Sequence, residues 1–134
     1  MRIGYYPGCS LTSSAREYDE SVRAVCEALD LTLVEIPDWN CCGASSAHVA
    51  GAELALNLRA RNLALAEATG LDEILAPCAA CFNRLATASV ELADAPDKRR
   101  TVSEVIGMPY SGKVRVLNML AVLERFKDEI AAKT

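Results

Sequence analysis

Six cysteines stand in a chain of 134 residues, and five of them are spaced for chemistry. Cys9 is isolated; 31 residues separate it from the adjacent pair Cys41-Cys42, which Gly43 follows, and 35 residues separate that pair from Cys78-Ala79-Ala80-Cys81. A CxxC by itself marks redox dithiols and zinc knuckles alike. The vicinal pair narrows the choice. Two adjacent side chains reach a common centre only where the backbone turns sharply, and Gly43 supplies that freedom. A structural zinc site takes four ligands, as does a cubane iron–sulfur cluster, whereas here five thiols are set to converge. Either one cysteine is spare, or the bound group has enough iron atoms in an irregular enough shape to use all five. Five thiolates without metal would concentrate too much negative charge in one place, so an empty site should hold protonated thiols or disulfides.

The elements that must position these residues are legible in the pattern. Arg2 to Tyr6 is a β-prone run stopped by Pro7-Gly8; Leu31 to Ile36 and Glu73 to Ala76 are strands stopped by Pro37 and Pro77; Val114 to Leu117 makes a fourth. Helical spacing covers about Ser13 to Leu29, where Tyr18, Val22, Val25, Cys26 and Leu29 line one face, and about Ser46 to Thr69, closed by Gly70. It resumes over Ala79 to Leu92, in a short helix capped by Asp94 that carries Val102, Val105 and Ile106, and in a last helix with Met119, Val122, Leu123, Phe126 and Ile130 on one face. Strands alternating with helices predict an α/β fold: a single domain over residues 1–134 with a four-stranded, mostly parallel sheet flanked by helices. Proline cannot extend a ladder, so each of the first three strands ends at its proline and delivers a cysteine just beyond. In a parallel sheet these loops share one edge, where open α/β sheets bind ligands.

Composition removes several functional classes. The chain is 51% apolar and 24% charged, which excludes intrinsic disorder, and its net charge of −4 with no basic run excludes nucleic acid as a ligand. No apolar stretch approaches the ~20 residues that span a bilayer, so no direct membrane insertion is expected. The opening Met1-Arg2-Ile3 enters a strand without a signal-peptide core, and a cytoplasmic location follows as an expectation. Thiols stay reduced there, which favours metal binding or redox chemistry over a disulfide framework. Cys26 falls in the apolar stripe of its helix and reads as a core thiol. His48, the one histidine, reads as a helix-terminal side chain or as a donor to a cluster sulfur or substrate. Arg84, three residues after Cys81, either offsets negative charge from one helical turn away or is solvated. The helix from Ser46 is apolar on two sides, with Leu54, Leu58 and Leu65 on one and Val49, Ala52, Leu56 and Leu63 opposite. One side covers the sheet; the other meets further helices or a separate chain.

Tyr6-Pro7-Gly8-Cys9, Asn40-Cys41-Cys42-Gly43-Ala44 and Ala76-Pro77-Cys78-Ala79-Ala80-Cys81-Phe82-Asn83-Arg84-Leu85 resemble the cysteine-rich CCG domain of the heterodisulfide reductase B family. The resemblance covers nearly the whole chain. It implies a noncubane [4Fe–4S] cluster held by Cys9, Cys41, Cys42, Cys78 and Cys81, in a component of a heterodisulfide-reductase-like oxidoreductase that exchanges electrons with a disulfide/thiol substrate. The family extends to relatives in succinate, lactate and glycolate oxidation and in sulfur metabolism. Its heterodisulfide reductase members normally carry two CCG domains, and this chain is similar to the N-terminal copy alone. A second CCG domain and an iron–sulfur electron-transfer subunit are therefore the implied partners, and no activity is expected of the chain by itself. The alternatives are a zinc-binding structural or subunit-docking module with no redox role, and a metal-free thiol–disulfide device.

Overall fold

Four short strands run parallel in the order β2-β1-β3-β4: β1 (Arg2–Tyr5), β2 (Thr32–Glu35), β3 (Glu73–Leu75) and β4 (Arg115–Leu117). The structure, a computed structural model, describes residues 1–41 and 51–133. Ile3 registers with Leu33, Tyr5 with Leu75, and Leu75 with Leu117. Backbone bonding runs one residue past three of the strands. The amide of Tyr6 donates to the Leu75 carbonyl at 2.9 Å, that of Ile36 to Tyr5 at 3.0 Å, and that of Ala76 to Leu117 at 2.9 Å. The next residue in each case is Pro7, Pro37 or Pro77, which has no N–H to donate, and the ladder stops there. The chain builds β2 on one side of β1 and β3 on the other, so the reversal of direction falls between β1 and β3.

Among the described residues seven helices complete the fold: α1 (Gly8–Leu11), α2 (Arg16–Ala28), α3 (Ala52–Ala68), α4 (Ala79–Ala93), α5 (Pro96–Ile106), α6 (Met119–Arg125) and α7 (Lys127–Lys133). None of them is long and apolar enough to cross a membrane. Alternate residues of the strands feed two cores, as the two-residue period of a strand requires. Ile3, Tyr5 and Leu75 pack with Val22, Cys26, Leu117 and Val122 on one face. Tyr6, Ile36, Ile74 and Ala76 pack with Leu63, Leu85, Leu92 and Val102 on the other. Helix α3 packs against both α4 and α5 and buries Ala55, Ala60, Leu63, Ala64 and Ala66, while Leu54 stays exposed and Leu56, Leu58 and Leu65 are half-buried; Val49 lies outside the described residues.

Three local expectations are corrected. Asp94 closes α4 instead of capping the next helix; Ala95 holds the N-cap position of α5 because Pro96 behind it has its φ preset for the first helical turn. The last helical stretch is two helices that meet at Phe126, and Asn118 caps the first by accepting from the Ala121 amide at 2.8 Å. On α2 the buried stripe is narrower than the spacing suggested: Val22 and Cys26 are enclosed, while Tyr18 and Val25 are 41% and 38% exposed. Tyr18 instead sends its hydroxyl to the Pro77 carbonyl at 3.4 Å.

Arg125 at the end of α6 grips Glu73 of β3 with two hydrogen bonds, of 2.8 and 2.7 Å. These bonds hold the Glu73 carboxyl below the usual carboxylate range, against the opposing effect of its partial burial. A depressed carboxylate stabilises the fold fully above its unfolded pKa and loses that contribution as pH falls through the lower folded value. Thermal melts should therefore place Glu73→Gln below wild type at pH 7, by about 1 kcal/mol or less, with the gap closing below roughly pH 4.

Candidate metal centre

The first turn of α1 and the start of α4 meet through a glycine, so Cys9 lies in a short helix where the sequence suggested a loop. Gly8 has φ +76°, a left-handed conformation, and a Cβ built on it would lie 2.8 Å from the Cys81 sulfur. Only a residue without a side chain lets the two segments approach this closely. Cys9 follows on the exposed side of that contact. Cys78 occupies the N-cap of α4 in an extended conformation (φ −68°, ψ 124°), and its carbonyl accepts from the Phe82 amide at 2.8 Å. Cys81 lies in the first turn of this 15-residue helix and is 7% exposed. The partial positive charge of a helix N-terminus favours a bound anion there.

The loop after β2 is held from several directions. Asp38 takes φ +54°, which a non-glycine residue adopts at a cost, and Arg61 of α3 secures it by donating to both its carbonyl (2.8 Å) and its carboxylate (2.5 Å). Asn62, fully buried, accepts from the Asn40 amide and donates to the Asn40 carbonyl, both at 2.9 Å. The same carbonyl receives the Tyr6 hydroxyl at 2.7 Å, and the Tyr6 ring meets Trp39 edge-on at 5.3 Å. Asn40 in turn donates to the carbonyls of Cys41 and Leu58. The backbone on the N-terminal side of Cys41 is thus tied to α3 and, through Tyr6, to the segment that leads to Cys9.

Cys9, Cys41, Cys78 and Cys81 therefore all follow the carboxyl ends of strands, with Cys9 beside the contact that Gly8 makes with Cys81. Cys42 and His48 lie outside the described residues. Among the described residues no set of three or more Cys, His, Asp or Glu side chains is already drawn together as a metal site. The donor chemistry nonetheless suits a thiophilic group, since thiolates are the ligands of iron–sulfur clusters and zinc, and the missing side chain at Gly8 lets the chain before Cys9 pack directly against the Cys81 sulfur. Cys26 sits in the opposite core among Ile3, Tyr5 and Val22, where burial pushes its thiol up. Cys26→Ala should accordingly cost about 1–2 kcal/mol in a urea melt and leave metal content unchanged. Arg84 is half-buried, and its Nε is enclosed with no hydrogen-bond partner among the described residues. The spacing of cysteines revealed nothing of Asn62, Arg61 or Tyr6. The one signal in the sequence was an asparagine, a poor helix former, between Ala60 and Leu63 on a buried helical face.

Residues 3–86 match the model of the CCG cysteine-rich domain, and the chain belongs to that family. It is 36% identical over 132 residues to the 8-methylmenaquinol:fumarate reductase membrane anchor subunit of Wolinella succinogenes, covering 98% of this chain and 46% of that protein. It is 28% identical to a heterodisulfide reductase B-like protein of Archaeoglobus profundus, over 96% of this chain and 43% of that one. It is 26% identical to the B-type subunit of the ferredoxin/F(420)H(2)-dependent CoB-CoM heterodisulfide reductase of Methanosarcina acetivorans, over 91% and 42%. The family read from the three cysteine motifs is thereby established. The chain spans less than half the length of these curated relatives.

Proposed function

We propose that this chain is the cysteine-rich module of a larger oxidoreductase, in which Cys9, Cys41, Cys42, Cys78 and Cys81 hold a noncubane [4Fe–4S] cluster. The observation that carries the reading is the contact between Gly8 and the Cys81 sulfur, which joins α1, the bearer of Cys9, to the CxxC helix. Such a cluster, when bound, supplies a one-electron relay beside a disulfide/thiol substrate. The chain's own part is to bind and orient. Gly8 keeps α1 close, the N-terminus of α4 offsets the charge of two thiolates, and Asn62 with Tyr6 fixes the backbone before Cys41.

Relatives more than twice as long, two of them named for the B-type subunit of heterodisulfide reductases, support a second CCG domain and an iron–sulfur electron-transfer subunit as partners. Five thiols awaiting metal need reducing surroundings, which supports a cytoplasmic location. Anaerobic purification followed by iron, sulfide and zinc analysis tests the reading. The expected protein is brown, with iron and sulfide in equal amounts, and loses both in each Cys→Ser variant at the five positions. A colourless protein containing zinc alone would overturn it. Sustained disulfide reduction by the isolated, iron-loaded chain with a low-potential dye would overturn the requirement for partners.

A further inference from the structure

Among the described residues two arginines enclose a nitrogen that lacks a hydrogen-bond partner, Arg59 at Nη2 and Arg84 at Nε, but Arg59 has another partner of its own. Arg23, Arg61, Arg100 and Arg125 are paired with carboxylates, and Arg99 donates to the carbonyls of Leu92 and Ala93. Arg2, Arg16 and Arg115 are exposed to water. Arg84 is half-buried on α4, and its Nε is shut off from solvent without a hydrogen-bond partner among the described residues. A buried donor on a charged group is expensive to leave unmet. Side chains on a helix lean toward its N-terminus and lie over the residues three and four before them. For Arg84 those residues are Cys81 and Ala80, in the turn that begins with Cys78 at the N-cap.

The charge of a thiolate-bound metal matches this unmet donor. Zinc with four thiolates is a dianion, and an iron–sulfur cluster bearing thiolate ligands is also anionic. A guanidinium one turn away in a low-dielectric setting counters that charge, and its Nε–H can point at sulfur. We infer that Arg84 is the electrostatic partner of the metal-bound CxxC turn: its guanidinium neutralises, and its Nε–H hydrogen-bonds, the sulfur anion held by Cys78 and Cys81. This rests on the proposed function for the presence of a thiolate-bound metal there, and it adds a cationic residue to the ligand set.

The test compares the whole chain with Arg84→Gln and Arg84→Lys, each purified anaerobically. The first readout is the rate of metal release to a chelator. Arg84→Gln should release metal about tenfold faster, as expected for loss of a charge-assisted hydrogen bond. Arg84→Lys, which keeps the charge, should recover at least part of that loss. Urea melts of the metal-free variants should be no weaker than that of the metal-free wild type, because the anion that Arg84 serves is then missing and its buried donor is unmet. If the metal is iron, Arg84→Gln should also lower the reduced-to-oxidised ratio at fixed potential by about tenfold, which is 59 mV for one electron.

Release at the wild-type rate from Arg84→Gln overturns the inference. So does a loss in Arg84→Lys equal to that in Arg84→Gln and matched by weaker urea melts, since packing would then explain both. Failure of the proposed function looks different. A colourless zinc protein removes the iron–sulfur reading and leaves the release comparison decisive for Arg84, whereas a wild-type chain that binds neither metal overturns both.

Discussion

Gly8→Ala is expected to strip the protein of its metal while Gly107→Ala is expected to keep it. Both glycines lie in the left-handed region, with φ +76° and +73°. Alanine at either position therefore carries a backbone cost of about 1–2 kcal/mol. The difference lies in what the new methyl group meets. At Gly107 nothing stands within 4 Å, whereas at Gly8 the Cys81 sulfur is 2.8 Å away, well inside van der Waals contact. That sulfur belongs to a buried residue in the first turn of α4, so it cannot swing out to solvent. Either α4 shifts or α1, which carries Cys9, retreats, and both movements spread the cysteines. Urea melts should show similar backbone penalties in the two variants, with a further loss of about 1–3 kcal/mol for Gly8→Ala from overpacking. Metal analysis should then find Gly107→Ala loaded and Gly8→Ala nearly empty. Wild-type metal content in Gly8→Ala would refute this account of the site.

Asn62→Leu should have the next largest effect. Leucine is close to asparagine in shape and somewhat larger, so the change tests hydrogen bonding in place of cavity formation. It removes the acceptor for the Asn40 amide and one of the two donors to the Asn40 carbonyl; the Tyr6 hydroxyl still serves the latter. The amide is left unmet beside a fully buried side chain, at a cost of about 2–3 kcal/mol in a urea melt. Tyr6→Phe, which deletes one donor from a carbonyl that keeps the other, should cost only about 1 kcal/mol. The backbone released in Asn62→Leu leads directly into Cys41, so metal retention should fall further than in Tyr6→Phe. Equal stability of Asn62→Leu and wild type would show that the clamp contributes nothing.

Much of this architecture was legible along the chain because its signals are local. Proline at positions 7, 37 and 77 ends a ladder wherever it occurs, and helical or alternating apolar spacing needs no knowledge of distant partners. These features suffice to predict a parallel α/β sheet with cysteine-bearing loops at one edge, and the cysteine motifs suffice to identify the family. Local signals misled where neighbours decide the outcome. Asp94 has the side chain of an N-cap, yet Pro96 moves the start of α5 to Ala95. Tyr18 and Val25 continue the apolar spacing of α2, yet they extend beyond what that helix buries.

By itself the sequence determined the strand ends, the alternation of strands and helices, and the five thiols offered for ligation. Only the tertiary structure decided which of the described thiols lies against which segment, and which other side chains surround them. The reason is the strand order β2-β1-β3-β4, which sets β3 beside β1 and brings the CxxC helix against Gly8. No periodicity encodes that adjacency, because it follows from how whole strands share hydrogen bonds and bury their faces. The same packing brings Asn62 to the backbone before Cys41 and closes solvent off from the Nε of Arg84. A polar group acquires such a role only when its surroundings leave it one partner to satisfy.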